Sequence, residues 1–204
     1  VPTPVLSQSH FRGRADGGTV EVTPTWIANE DTNWTQAVDE PFRVRFVIQE
    51  TAGGNPVLHT VKLQAQKNAD AFADVTATST NVRAVNAGSS ADEAATTTRR
   101  LSGTGTYTVG VYSEDGSTST GVDLAASRNT EYEFGVRIVS GDVANADTIA
   151  LKVVELSGTA IAATVVPSIT ASKPGPGDLV AAAAATSDDT LVLSVWRQNR
   201  MDPY

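Results

Sequence analysis

Cysteine is missing from this chain, and histidine (two residues) and methionine (one) are nearly so. Without thiols there can be no disulfide scaffold, no zinc–thiolate centre and no cysteine nucleophile. A small secreted domain often relies on disulfides, so their absence favours synthesis in a reducing cytoplasm. No stretch approaches the roughly 20 apolar residues of a spanning helix. Val1-Pro-Thr-Pro4 lacks the basic and then apolar regions of a signal peptide, and Val1 suits either removal of an initiator Met or processing of a longer precursor. Basic residues are also scarce. Fifteen Lys and Arg against 23 Asp and Glu give a net charge of −8, a field that repels phosphate and disfavours nucleic acid and anionic membranes as partners.

The catalytic motifs are equally thin. His10 and His59 have no His-x-His or His-Glu-x-x-His partner, so no zinc site is expected and no metal ligand is assigned. No Gly-x-Ser-x-Gly elbow occurs, and Gly103-Thr-Gly105 and Gly175-Pro-Gly177 lack the Gly-Lys-Ser/Thr of a phosphate loop. Glu30-Asp31, Asp115, Asp142, Asp147 and Asp188-Asp189 lie at turn signals. Turn carboxylates can hold calcium, but none matches Asp-x-Asp-x-Asp-Gly, and Asp favours turns for its own reasons. Nothing picks a glycosidase carboxylate pair from the acidic residues. No catalytic residue and no cofactor are assigned.

What is present is period-2 alternation. Phe42, Val44, Phe46 and Ile48 fall on one face of a run whose other face carries Arg43, Arg45, Val47 and Gln49. Gly53-Gly54-Asn55-Pro56 signals a turn, and Val61, Leu63 and Ala65 alternate with Lys62, Gln64 and Gln66, so 42–65 reads as a β-hairpin. Tyr107/Val109/Val111, Tyr132/Phe134/Val136/Ile138 and Ile149/Leu151/Val153 alternate in the same way, Val82 and Ala84 supply a shorter strand, and Val165 to Thr170 a last one. Turn signals recur about every ten residues with no helical periodicity over 19–171. The reading is an all-β, antiparallel β-sandwich, jelly-roll or immunoglobulin-like, over 19–171. Residues 1–18 are an extended polar arm, and 172–204 are a Pro/Gly linker and C-terminal arm. Within that arm 179–186 suits a helix or an extended segment, and 191–196 a strand. The polar loop 86–98 is long enough to be functional or mobile.

Candidate contact residues follow. Arg43 and Arg45, on the outward face of the central strand, suit either solvent or an acidic neighbouring copy. Leu191, Leu193 and Trp196 suit an anchor into a partner's pocket. Trp26 is expected in the core and His59 on a surface strand. Exposed tryptophans could instead make a sugar platform.

A series of segments resembles the β-sandwich structural and decoration domains of tailed bacteriophages and prophages. They are Ser9 to Gly18, Thr25 to Thr32, Phe42-Arg-Val-Arg-Phe46, Lys62-Leu-Gln-Ala-Gln66, Ala73 to Arg83, Glu131-Tyr-Glu-Phe134, Asp142 to Ile149 and Val166-Pro-Ser-Ile-Thr170. They follow in order over residues 9–170. The resemblance implies a non-enzymatic virion protein decorating or reinforcing a capsid or another particle surface. It would form homo-oligomers and contact the major capsid protein or other virion proteins. The alternative is a tail-fibre or adhesin-type module binding host-surface glycans; a carbohydrate hydrolase is the third reading.

Overall fold

The computed structural model of the protein describes residues 3–55, 57–88 and 90–175. Its strands are β1 (Leu6–Ala15), β2 (Trp34–Ala37), β3 (Phe42–Glu50), β4 (Leu58–His59) and β5 (Val61–Lys67). They continue with β6 (Ala73–Asp74), β7 (Val82–Ala84), β8 (Ala95–Thr96), β9 (Thr106–Thr108) and β10 (Gly110–Ser113). The last are β11 (Val122–Asp123), β12 (Arg128–Ile138), β13 (Thr148–Glu155), β14 (Ala162–Ala163) and β15 (Ser168–Ser172). No helix occurs among the described residues.

The strands form an all-β sandwich. One large sheet runs β14-β1-β3-β12-β10-β8, with β7 and β9 also on β12, a second runs β2-β15-β13-β5-β6, and β11 and β4 form a small two-stranded sheet. The long ladders β1·β3, β3·β12 and β5·β13 are antiparallel, whereas β9 and β10 on β12, β14 on β1 and β2 on β15 are parallel. Between the sheets lies the apolar core predicted by the alternation. Phe42, Val44, Phe46 and Ile48 meet Val61, Leu63, Ile149, Leu151, Val153 and Ile169, with Tyr132, Phe134 and Val136 beside them. Burying each such side chain contributes about 1.5–3 kcal/mol.

Three expectations need correction. The stretch 42–65 is not a hairpin: β3 and β5 belong to different sheets, and the turn between them carries the chain from one layer to the other. Alternation reports which residues face inward, not which strand is the neighbour, so both strands read correctly while their pairing did not. Nor is 1–18 a free arm. Ten of its residues form β1, an interior strand of the large sheet flanked by β3 and β14. A register shift between Gln8 and His10 changes the inward parity from Leu6 and Gln8 to Phe11 and Gly13, which hides the periodicity. Gly13 is needed there because a Cβ would lie 2.9 Å from the Trp34 ring. Finally, the single strand expected over 107–111 is broken at Val109. The partners on β12 step from Thr108↔Thr130 to Tyr112↔Glu133, and Val109 is left exposed.

Gln8 binds the layers together. It is fully buried, donates from Nε2 to Val165 O at 2.7 Å and accepts at Oε1 from Val153 N at 2.9 Å. Just after β15, Lys173 N donates to Asn145 Oδ1 at 3.0 Å.

Candidate functional site

Because β3 is flanked by β1 and β12, the residues on its second face are brought beside one another across three strands. Arg14 pairs in register with Arg43, Arg12 and Glu133 lie opposite Arg45, and Glu131 lies opposite Val47. The result is a charged layer on the outer side of the large sheet. Glu133 Oε1 accepts from Arg14 Nη1 at 3.0 Å and Arg43 Nη1 at 3.4 Å, and its Oε2 from Arg45 Nε at 2.6 Å. Arg45 Nη1 donates to Glu131 Oε2 at 2.8 Å. Glu131 also accepts from the backbone N–H groups of Arg100 and Leu101.

Arg43 and Arg45 are therefore not an outward face. They are 0% and 1% exposed, which removes them as a surface for an acidic neighbour. Residues 16–20, Gly88 and Thr98 cover them. Arg43 Nη2 donates to Gly18 O, Arg14 to the Thr19 and Val20 carbonyls, and Arg45 to Thr98 O and Val20 O. The long polar loop is pinned at the same place: Ser90 hydroxyl accepts from Val20 N, and the Glu21 carboxylate receives Thr97 and Thr98. Gly88 sits at φ 78°, and a Cβ there would run into the Arg43 guanidinium.

Burial and charge act against each other in this layer. For Arg45, burial lowers the pKa, but Glu133 and Glu131 outweigh it and the net shift is upward. For Arg14, burial prevails; Glu133 opposes it while Arg43 and Arg45 add to it, and the pKa falls. Burial also raises the Tyr112 hydroxyl, whose ring lies under the Arg43 guanidinium with 5.1 Å to its centroid. Buried arginines and carboxylates paired with one another and with backbone carbonyls in this way act as a polar core, not as an open binding site, although the Nε atoms of Arg14 and Arg43 find no partner among the described residues.

Two other places present unsatisfied chemistry. At the end of the sandwich formed by the C-termini of β3 and β13, a shallow hollow of about 250 Å³ is bordered by Val57, Leu58, His59, Glu155 and Leu156. Leu58 is 65% exposed, Val57 45% and Leu156 44%. His59 is buried, contrary to expectation, with Nδ1 3.1 Å from Glu155 Oε1. On the outer side of β1, His10 meets the turn carboxylates Glu30 and Asp31, a grouping with metal-ligand spacing in space although none exists in sequence. The register of β1 against the turn at 29–33 is what sequence could not supply.

Of the remaining expectations, Trp26 is only partly buried and carries Arg12 over its ring at 4.5 Å, while among the described residues Trp34 is the tryptophan in the core. Neither offers a bare ring for a sugar. Leu191, Leu193 and Trp196 lie outside the described residues. Compared with protein-family models, curated proteins and solved structures, the chain matches none.

Proposed function

We propose that the protein is a non-enzymatic structural subunit of a tailed-phage particle, decorating or reinforcing the capsid or another particle surface through contacts with copies of itself and with other virion proteins. The observation that carries this reading is the apolar rim at one end of the sandwich. Val57, Leu58 and Leu156 stand exposed beside one another on a frame filled on both sides of its large sheet, apolar within and ion-paired without. Exposed apolar side chains grouped on a rigid frame are the ordinary means by which one subunit recognises another. The segment 191–196, with Leu191, Leu193 and Trp196, provides a second contact element of the kind that latches across subunits.

Light scattering on the full chain tests the reading, with the Leu58→Lys/Leu156→Lys variant alongside. The wild type is expected to associate and the variant to dissociate at concentrations where both retain the β circular-dichroism spectrum. A wild type that stays monomeric at high concentration, and is found on no particle, would remove the reading.

A further inference from the structure

From the cluster on the outer side of β1, we infer a binding site for one divalent cation of the zinc class, with His10, Glu30 and Asp31 as its three protein ligands. His10 Nδ1 lies 2.7 Å from Asp31 Oδ2 and 3.3 Å from Glu30 Oε1, and the candidate ligand atoms all lie within 4.8 Å of one another. Two carboxylates thus converge on one ring nitrogen, which carries at most one hydrogen. No lysine or arginine among the described residues forms an ion pair with either of them. The cluster thus offers two carboxylate oxygens and a ring nitrogen to one point, with no such side chain paired to them. A divalent ion answers all three at once.

The ligands are also held in place by contacts that do not use the coordinating atoms fully. Asp31 Oδ1 accepts from Phe11 N at 2.9 Å, which leaves Oδ2 facing His10. Glu30 is gripped by Ser102 N, at 3.0 Å to Oε1 and 3.2 Å to Oε2, with the Ser102 hydroxyl 3.4 Å from Oε2. Backbone of β1, the 29–33 turn and the 99–103 loop therefore orient the set before any ion arrives, the supporting role that outer contacts play at metal sites. Asp31 itself sits at φ 56°, a conformation Asp and Asn tolerate.

Dimensions fit. Tetrahedral zinc with bonds of about 2.0–2.1 Å separates its ligand atoms by about 3.3 Å. His10 and Glu30 already have that separation, and His10 and Asp31 need to part by roughly 0.6 Å, a side-chain adjustment at a half-exposed site. One nitrogen and two carboxylate oxygens suit zinc or a neighbouring first-row ion better than magnesium, which prefers an all-oxygen octahedron. Three protein ligands leave the fourth position to water or to a group from another molecule. The site ties β1 to the 29–33 turn and, through Ser102, to the 99–103 loop, so its occupation stiffens that side of the sandwich.

Zinc chloride titrated into chelator-treated full-length protein, followed by calorimetry and by nitrogen-15 spectra of the imidazoles, tests the site. One ion is expected per chain, with the His10 Nδ1 resonance moving on binding and the His59 resonances unmoved. His10→Ala and Glu30→Gln are each expected to weaken binding about tenfold or more. Asp31→Asn, which keeps the φ preference of the turn, should weaken it too while leaving the circular-dichroism spectrum intact. His59→Ala should bind as the wild type does, and magnesium should not compete. Absence of saturable zinc binding, as for a cluster that only shares a proton between His10 and Asp31, would overturn the proposal. So would zinc affinity that is unchanged in His10→Ala, or that is lost in His59→Ala.

Discussion

Replacing Glu133 by glutamine keeps the shape of the side chain and removes one charge from the centre of the polar layer. Glu133 is fully buried and touches three guanidinium groups, at 3.0, 3.4 and 2.6 Å from Arg14, Arg43 and Arg45. The layer is balanced: Arg14, Arg43 and Arg45 give three positive charges, and Glu131, Glu133 and Asp16 give three negative ones. The substitution leaves one uncompensated positive charge with no water to receive it. Breaking a buried pair by removing one partner costs about 3–5 kcal/mol, a large part of the total of roughly 5–15 kcal/mol typical of a domain. Arg43→Met should cost less, because Glu133 keeps its two closer partners. Combined with Glu133→Gln it should restore charge neutrality, so the double variant should be more stable than the two separate losses summed. Urea unfolding of the four proteins, followed by tryptophan fluorescence, measures this cycle. A Glu133→Gln protein within about 1 kcal/mol of the wild type, in the range of an ordinary surface substitution, would refute the buried-layer reasoning and return Arg43 and Arg45 to the surface.

Other outcomes are equally specific. Gln8→Leu orphans Val153 N and Val165 O between the sheets and should lower stability by about 1–3 kcal/mol for each, read by urea unfolding. Glu50 offers a pH test. Burial pushes its carboxyl up, but N–H groups of Gly54, Ala52, Val5 and Gly53 outweigh that and hold its pKa at about 2, below the ordinary 4.5. A depressed carboxyl stabilises the fold fully above the unfolded value and loses that contribution as the pH falls from about 4.5 through 2. Glu50→Gln should flatten the acid limb of the stability curve in that window and leave other limbs in place. Gly88→Ala must accept φ 78° and displace Arg43, so its melting temperature should fall well beyond the effect of Gly53→Ala, where φ is 73° but nothing lies within 4 Å of the added carbon.

Much of the architecture was legible in the residues. The inward sets of β3, β12 and β13 were each read correctly because one face of each strand is uniformly apolar, and the sandwich class followed from their spacing. The partners of those strands were not legible. Alternation is a local property, while pairing is decided by how several long chains of hydrogen bonds compete, so β3 and β5 were joined across a turn that separates two layers. The arginines mark a second limit. Alternation puts Arg43 and Arg45 on the face away from the core, which reads as solvent, yet Glu131 and Glu133 alternate with Tyr132 and Phe134 in the same way one strand over. Two strands with complementary charges on their non-core faces were the signal available in sequence. His10, Glu30 and Asp31 left a fainter trace, since about twenty residues of chain separate the histidine from the turn and only the bulge near Ser9 turns His10 toward it.

The part of the molecule that bears on its role most directly is the end with Val57, Leu58 and Leu156. Tailed-phage particles banded from lysates of the producing host, and probed for this chain by mass spectrometry and cryo-electron microscopy, decide the matter. The expected result is the chain at a fixed copy number relative to the major capsid protein, with density on the particle surface whose contacts include the Leu58–Leu156 rim. Particles free of the chain, with the protein recovered only at the top of the gradient, would contradict the proposed role.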